Sequence, residues 1–206
     1  MTKKAIIFDL DNTIYPVAAI GDQLFKSLFR TIEKDGNYQG TMGEIKAEIM
    51  RKPFQVVAKM YAFSDALTTT CLKLLTELTY DDTIAPFDDY ALTTKLTCLK
   101  FLVTTGFKKL QLSKIDQLNI KDHFEEIIIV DPIASSLTKK NFFKDIMLRY
   151  NLTPNEVLVI GDDLHSEIKA AKELGIATVL YDYLGENESL PGENVITNYQ
   201  QLGKYV

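Results

Sequence analysis

Cysteine is scarce in this chain, with two among 206 residues. Cys71 and Cys98 cannot build the disulfide framework of a small secreted domain. Their spacing fits neither a zinc site nor a Cys-x-x-Cys redox pair. Each sits among Leu and Thr residues and reads as a buried free thiol. Long hydrophobic runs are also missing, since nothing approaches the roughly 18 apolar residues that cross a membrane. Lys3 and Lys4 precede an apolar stretch that stops at Asp9, too short for a secretory signal. A reducing cytoplasm is therefore the expected location. Basic charge is not in surplus. Lys and Arg number 23 against 28 Asp and Glu, a formal net charge of −5, which argues against a dedicated nucleic-acid binder. Internal repeats and low-complexity segments are lacking too.

What is present is the balance of an ordinary soluble globular protein, 46% hydrophobic and 25% charged. That much apolar material excludes disorder as a global description. The length predicts one domain with a sizeable insertion first and two small domains second. Five short apolar runs rich in Val and Ile stand out: 5–8, 101–103, 127–130, 157–160 and 176–180. Continuous apolar runs without alternation fit strands buried on both faces of a parallel sheet. Helical stripes lie between the later runs, over 107–118, 139–150 and 166–174, with Gly175 as a stop for the last. Strand and helix alternating at this spacing predict βαβ units and an α/β, doubly wound parallel sheet. A short edge strand at 195–197 and a last helical turn at 199–205 complete it.

The stretch 14–85 interrupts the alternation. It holds no clear strand, and it shows helical patterns at 23–34, 41–50, 54–61 and 66–78. Asp35-Gly36-Asn37 is a turn signal and Pro53 suits a helix start. The expected division is a core of residues 1–14 and 86–206 with a helical cap at 15–85. Residues 14–85 carry eight basic and nine acidic residues, so their charge names no substrate.

Ligands of open α/β sheets bind beyond the carboxyl ends of the strands. The first run ends in Asp9-Leu10-Asp11-Asn12-Thr13, the second in Thr104-Thr105-Gly106, the fourth in Gly161-Asp162-Asp163. Parallel strands would gather Asp9, Asp11, Asp162 and Asp163 at one edge, with Glu167 a helical turn further on. Such a carboxylate cluster stays ionised only around positive charge, and oxygen-only ligands suit a hard cation, Mg²⁺ first. A carboxylate can attack phosphorus, and an acid two residues on can serve the leaving group. Thr104, Thr105 and nearby backbone N–H groups can bind phosphate oxygens. A lysine should complete the cradle.

These residues carry a family resemblance. Asp9-Leu10-Asp11-Asn12-Thr13 resembles the DxDxT signature of the haloacid dehalogenase superfamily, most of whose members are phosphatases. Leu102-Val103-Thr104-Thr105-Gly106 resembles its second motif. Lys139 or Lys140, opening a helix, matches the third, with Lys139 preferred because Phe143 then takes the family's apolar position. Gly161-Asp162-Asp163-Leu164-His165-Ser166-Glu167 resembles the fourth. The resemblance implies a Rossmann-like core with a C1-type helical cap and Mg²⁺-dependent hydrolysis of small phosphomonoesters. It makes Asp9 nucleophile and metal ligand, and Asp11 general acid/base with its main-chain carbonyl on the metal. Thr104, Thr105 and Lys139 become phosphate-binding residues, and Asp162 the second carboxylate on Mg²⁺. Asp163 and Glu167 would hold waters on the metal or steer the lysine. Neighbouring carboxylates are expected to raise the Asp11 pKa. Thr105 stands where relatives often have Asn, and no Pro follows the lysine. Tyr15-Pro16 reads as a hinge into the cap or as a border of the pocket, and it also resembles pyrimidine 5′-nucleotidase-like members. The expected partner is thus a nucleoside monophosphate or a sugar phosphate. Dehalogenation, a mutase, a phospho-accepting receiver module and a non-catalytic phosphate-binding protein are the other readings. His123 reads as a surface or capping residue and His165 as a loop residue outside the chemistry.

Overall fold

The computed structural model describes residues 3–134, 136–186 and 190–206. Residues 186–192, a polar stretch that reads as a loop, lie partly outside the described residues. Six strands form one parallel sheet: β1 (Ala5–Phe8), β2 (Leu99–Thr105), β3 (Glu126–Val130), β4 (Val157–Gly161), β5 (Ala177–Tyr181) and β6 (Val195–Ile196). Their spatial order is β3-β2-β1-β4-β5-β6. Chain order therefore reverses between β1 and β4. The switch point of a doubly wound sheet lies there, and its crevice opens beyond the carboxyl ends of the strands.

Side chains alternate across the strands and build two cores. Ile6, Phe8, Leu102, Leu158 and Ile160 face one side. Ala5, Ile7, Phe101, Val103, Val157 and Val159 face the other. Burial on both faces is why these strands read as unbroken apolar runs. The second face is covered by α7 (Lys139–Arg149) and α8 (Lys169–Lys172), through Phe143, Ile146 and Ala171. The first is covered by α6 (Lys108–Leu118), through Leu110, Ile115 and Leu118.

Five helices lie between β1 and β2: α1 (Gly21–Leu24), α2 (Lys26–Asp35), α3 (Met42–Ile49), α4 (Phe54–Met60) and α5 (Asp65–Glu77). The pattern at 23–34 is in fact two helices, broken at Phe25. Thr41 and Glu44 form a capping box on α3, and Ser64 accepts from Leu67 N at 3.1 Å to start α5. The apolar side chains of this insertion, Leu28, Ile32, Ile45 and Val57 among them, run into the same core as Phe8 and Ile160. Insertion and sheet thus share one hydrophobic cluster. The expected helix at 166–174 is a π-helical turn at Leu164–Ile168 followed by the short α8. Cys71 is buried and Cys98 partly so, both as free thiols. Among the described residues, no helix is long and apolar enough to cross a membrane.

Candidate active site

Three loops bring polar residues to the carboxyl edge of the sheet, one each after β1, β2 and β4. Asp9 N donates to Ile160 O at 2.9 Å, so Asp9 extends the β1–β4 ladder one residue past Phe8. That fixes its side chain at the switch point, almost fully buried. Across from it, Lys139 opens α7. Its Nζ donates to Asp9 Oδ1 at 2.6 Å and to Glu167 Oε2 at 2.7 Å. Lys139 and Phe143 are four apart on one helix face, so seating Phe143 in the core at 0% exposure aims Lys139 at the cluster. Lys140 points elsewhere, to Glu173 at 2.8 Å on the surface.

Glu167 is a buried brace. Its Oε1 accepts from Asp163 N at 2.8 Å while Oε2 holds Lys139. The Asp163 side chain caps the π-helical turn by accepting from His165 N at 2.7 Å. Gly161 makes room for this brace: a Cβ there would sit 2.2 Å from Glu167 Oε1. Gly161→Ala is therefore expected to displace Glu167 from Lys139. Overpacking of this kind costs about 1–3 kcal/mol. A thermal melt read beside turnover should show both fall together.

One carboxylate oxygen from each of Asp9, Asp162 and Glu167 lies within 4.8 Å of the other two. Both Glu167 oxygens are already engaged, so the free carboxylate oxygens belong to Asp9 and Asp162. An all-oxygen set fits a hard cation. At the floor of the site the carboxylates of Asp9, Asp11, Asp162 and Glu167 outnumber the two lysines that meet them, Lys114 and Lys139. Burial pushes the Asp9 carboxyl up, Glu167 and Asp11 push it further, and Lys139 only partly opposes them. Asp162 is raised by burial first and then by Glu167 and Asp9.

Asp11 behaves differently from expectation. Burial pushes its carboxyl up, but the Lys114 charge and hydrogen bonds from Lys114, Tyr15 and Gln111 outweigh that and hold it below the ordinary range. The expected rise from neighbouring carboxylates is outweighed, because its side chain meets Lys114 and Gln111 of α6. Lys114 Nζ lies 2.8 Å from Asp11 Oδ1 and 3.0 Å from Oδ2. Gln111 Nε2 donates to Asp11 Oδ2 at 2.9 Å and to Thr104 Oγ1 at 2.7 Å. Tyr15 donates its hydroxyl to Asp11 Oδ1. Tyr15 is thus part of the site and not only a hinge. Sequence reasoning passed over Gln111 and Lys114. The available signal was their spacing: 107, 111, 114 and 118 share one helix face with buried apolar residues.

The buried Thr104 and half-buried Thr105 line the same cavity. Gly106 N does not serve it as expected, because it donates to Val130 O at 3.1 Å. His165 lies in an outer groove, and His123 Nδ1 pairs with the Tyr90 hydroxyl at 3.1 Å away from the site. The cavity is about 160 Å³. Its floor is the carboxylate cluster, and its roof comes from the insertion, including Phe25, Met50, Arg51 and Phe54.

A family model for haloacid dehalogenase-like hydrolases matches residues 3–175. The chain belongs to this family. The glyceraldehyde 3-phosphate phosphatase of Methanopyrus kandleri is 25% identical over 196 residues, which span 85% of this chain and 82% of that one. A ribulose-1,5-bisphosphate 5-phosphatase of Halopiger xanaduensis is 28% identical over 101 residues, 49% of this chain and 38% of its own. Among solved structures, a haloacid dehalogenase-like family protein from Streptococcus pneumoniae superposes with a TM-score of 0.73. It covers 99% of both chains at 16% identity, a likeness of fold alone. The six-stranded parallel sheet with helices on both sides is the family's Rossmann-like α/β core.

Proposed function

We propose that this chain is a Mg²⁺-dependent phosphomonoesterase that hydrolyses small phosphorylated metabolites, sugar phosphates first, through a phosphoryl group carried on Asp9. The observation that carries the reading is Lys139 bridging Asp9 and Glu167 beside Asp162, buried at the switch point beneath the helical insertion. Two phosphatase relatives with sugar-phosphate substrates in their names support the substrate class. The cavity also supports small substrates, since drug-sized ligands occupy pockets of about 300–1,000 Å³. On this reading residues 15–85 are the cap that excludes macromolecules, the remainder is the core, and the site of action is the cytoplasm.

Mg²⁺ would be held by Asp9, Asp162 and the main-chain carbonyl of Asp11, and would offset the negative charge of the phosphoryl group as an anionic nucleophile approaches. Asp9 Oδ attacks phosphorus in line, and the bond to the leaving oxygen breaks. Asp11 would relay a proton to that oxygen; because Lys114 holds the Asp11 carboxyl below its ordinary range, it must first take that proton up once substrate is bound. Water then attacks phosphorus, Asp11 takes a proton from it, and the bond to Asp9 breaks to release phosphate. Thr104 Oγ1 accepts from Gln111, which leaves its own proton free for a phosphoryl oxygen. Thr105 shares that wall. Lys139 orients Asp9 and adds positive charge beside the transferred group. Dehalogenation would need neither a metal nor Asp11, so the presence of Asp11 and Asp162 argues against it.

The test is p-nitrophenyl phosphate hydrolysis with Mg²⁺ and with EDTA, followed by triose, pentose and hexose phosphates beside nucleoside monophosphates. Activity that depends on Mg²⁺ and is highest on sugar phosphates is expected. Tight phosphate binding without turnover on any ester would replace the enzyme reading with a binding one.

A further inference from the structure

The Asp11 carboxylate has more partners than its role requires. Its two oxygens receive donors from Tyr15, Gln111 and Lys114, the last two from α6. Lys114 is 3% exposed. Burying an ammonium is costly unless it is paired, and an apolar side chain of similar volume would fill the same space more cheaply. Leu110, Ile115 and Leu118 show that α6 otherwise covers the sheet with apolar groups. So packing alone does not account for a lysine there.

The geometry around it is specific. Lys114 approaches both carboxylate oxygens, which fixes the tilt of the carboxyl plane. Tyr15 holds one oxygen and Gln111 the other, which fixes its rotation. Gln111 Nε2 also donates to Thr104 Oγ1, so one amide sets Asp11 and Thr104 relative to each other. Gly106 permits this approach, since a Cβ there would lie 2.8 Å from the Gln111 Cδ. Side-chain exposure at Asp11 remains 27%, so the clamped group still faces the cavity.

We propose that Lys114, with Gln111 and Tyr15, is a positioning residue that clamps the Asp11 carboxylate in register with Thr104 on the leaving-group side of the site. This rests on the phosphatase reading above, in which Asp11 serves the leaving oxygen and the attacking water. Lys114 acts through Asp11 and not on substrate. It should therefore influence kcat more than KM, and its influence should vanish when Asp11 cannot act.

The experiment is a double-mutant cycle on the full chain with p-nitrophenyl phosphate and Mg²⁺, using Lys114→Met, Asp11→Asn and the pair, with Lys114→Arg beside them. Misplacing a catalytic group by an ångström can cost about 100-fold, so Lys114→Met is expected to lower kcat by that order with KM little changed. Lys114→Arg should restore much of it, and Lys114→Met should cost nothing further in Asp11→Asn. A loss that adds fully to that of Asp11→Asn, or one expressed in KM alone, would overturn the proposal. If Lys114→Met does not fold, Tyr15→Phe takes its place, since it removes one hydroxyl from the same carboxylate. A kcat loss confined to the Asp11 background supports the clamp, and no loss or an additive one overturns it. An inactive wild type would remove the phosphatase reading and this inference together. An active wild type with additive variants removes the inference alone.

Discussion

Asp9→Asn is expected to reduce turnover on any phosphomonoester by about 10⁴-fold or more, as removal of other catalytic nucleophiles does. The amide is neutral and nearly isosteric, so it cannot attack phosphorus but still fills the space at the switch point. It also gives up a carboxylate oxygen that faces the cation site. Folding should survive, because Lys139 keeps Glu167 at 2.7 Å. The melting profile adds a second readout. In the folded protein without a divalent cation, burial raises the Asp9 carboxyl from its ordinary range to about 7. A raised carboxyl favours the fold at low pH, and that contribution is lost as pH climbs through the folded value. In EDTA the wild type should therefore lose melting temperature between about pH 4 and 7, and Asp9→Asn should lose less. Mg²⁺ should recover more for the wild type at pH 8 than at pH 5, since cation and proton compete for the same oxygens. Substantial phosphatase activity in Asp9→Asn, shown by mass spectrometry to be free of deamidation, would rule out the covalent scheme.

Lys139→Met is expected to be the most destabilising single change at the site. Its side chain is 6% exposed, and those of Asp9 and Glu167 are 8% and 2% exposed. Removing the shared cation leaves two buried carboxylates uncompensated, and breaking a buried pair in this way costs about 3–5 kcal/mol. The loss should be largest near pH 8 and should shrink in acid, where the stranded carboxyls can protonate. Mg²⁺ should offset part of it by supplying charge at Asp9. Turnover should fall about 10²–10³-fold, the usual cost of removing one donor to the developing negative charge. Lys139→Arg should not restore function, because a planar guanidinium cannot place one nitrogen 2.6 Å from Asp9 and 2.7 Å from Glu167 in the space an ammonium occupies. Urea melts at pH 5.5 and 8, with and without Mg²⁺, check the whole pattern. An unchanged stability at pH 8 would mean that something other than Lys139 balances the cluster.

The sequence by itself determined the sheet and the edge that carries the chemistry. Runs such as Ala5–Phe8 and Val157–Gly161 are apolar at every position because both faces are covered, and that burial is written in composition. Polar residues directly after such runs, Asp9, Thr104 and Asp162, must then gather at one edge once the strands are parallel. A boundary such as the break at Phe25 was not legible, since an apolar stripe continues through it. The choice between Lys139 and Lys140 rested on a single apolar neighbour until the seating of Phe143 set the helix phase. Only the tertiary structure decided which way Asp11 points and what meets it there. Gln111 and Lys114 fall on the buried face of their helix with Phe107 and Leu118, but that position names no partner for a polar residue. Their partner lies about a hundred residues earlier in the chain. Strand and helix patterns report how much of a residue is buried. They say nothing about which distant group shares the buried space, and at this site that pairing sets the direction of Asp9, Asp11 and Glu167.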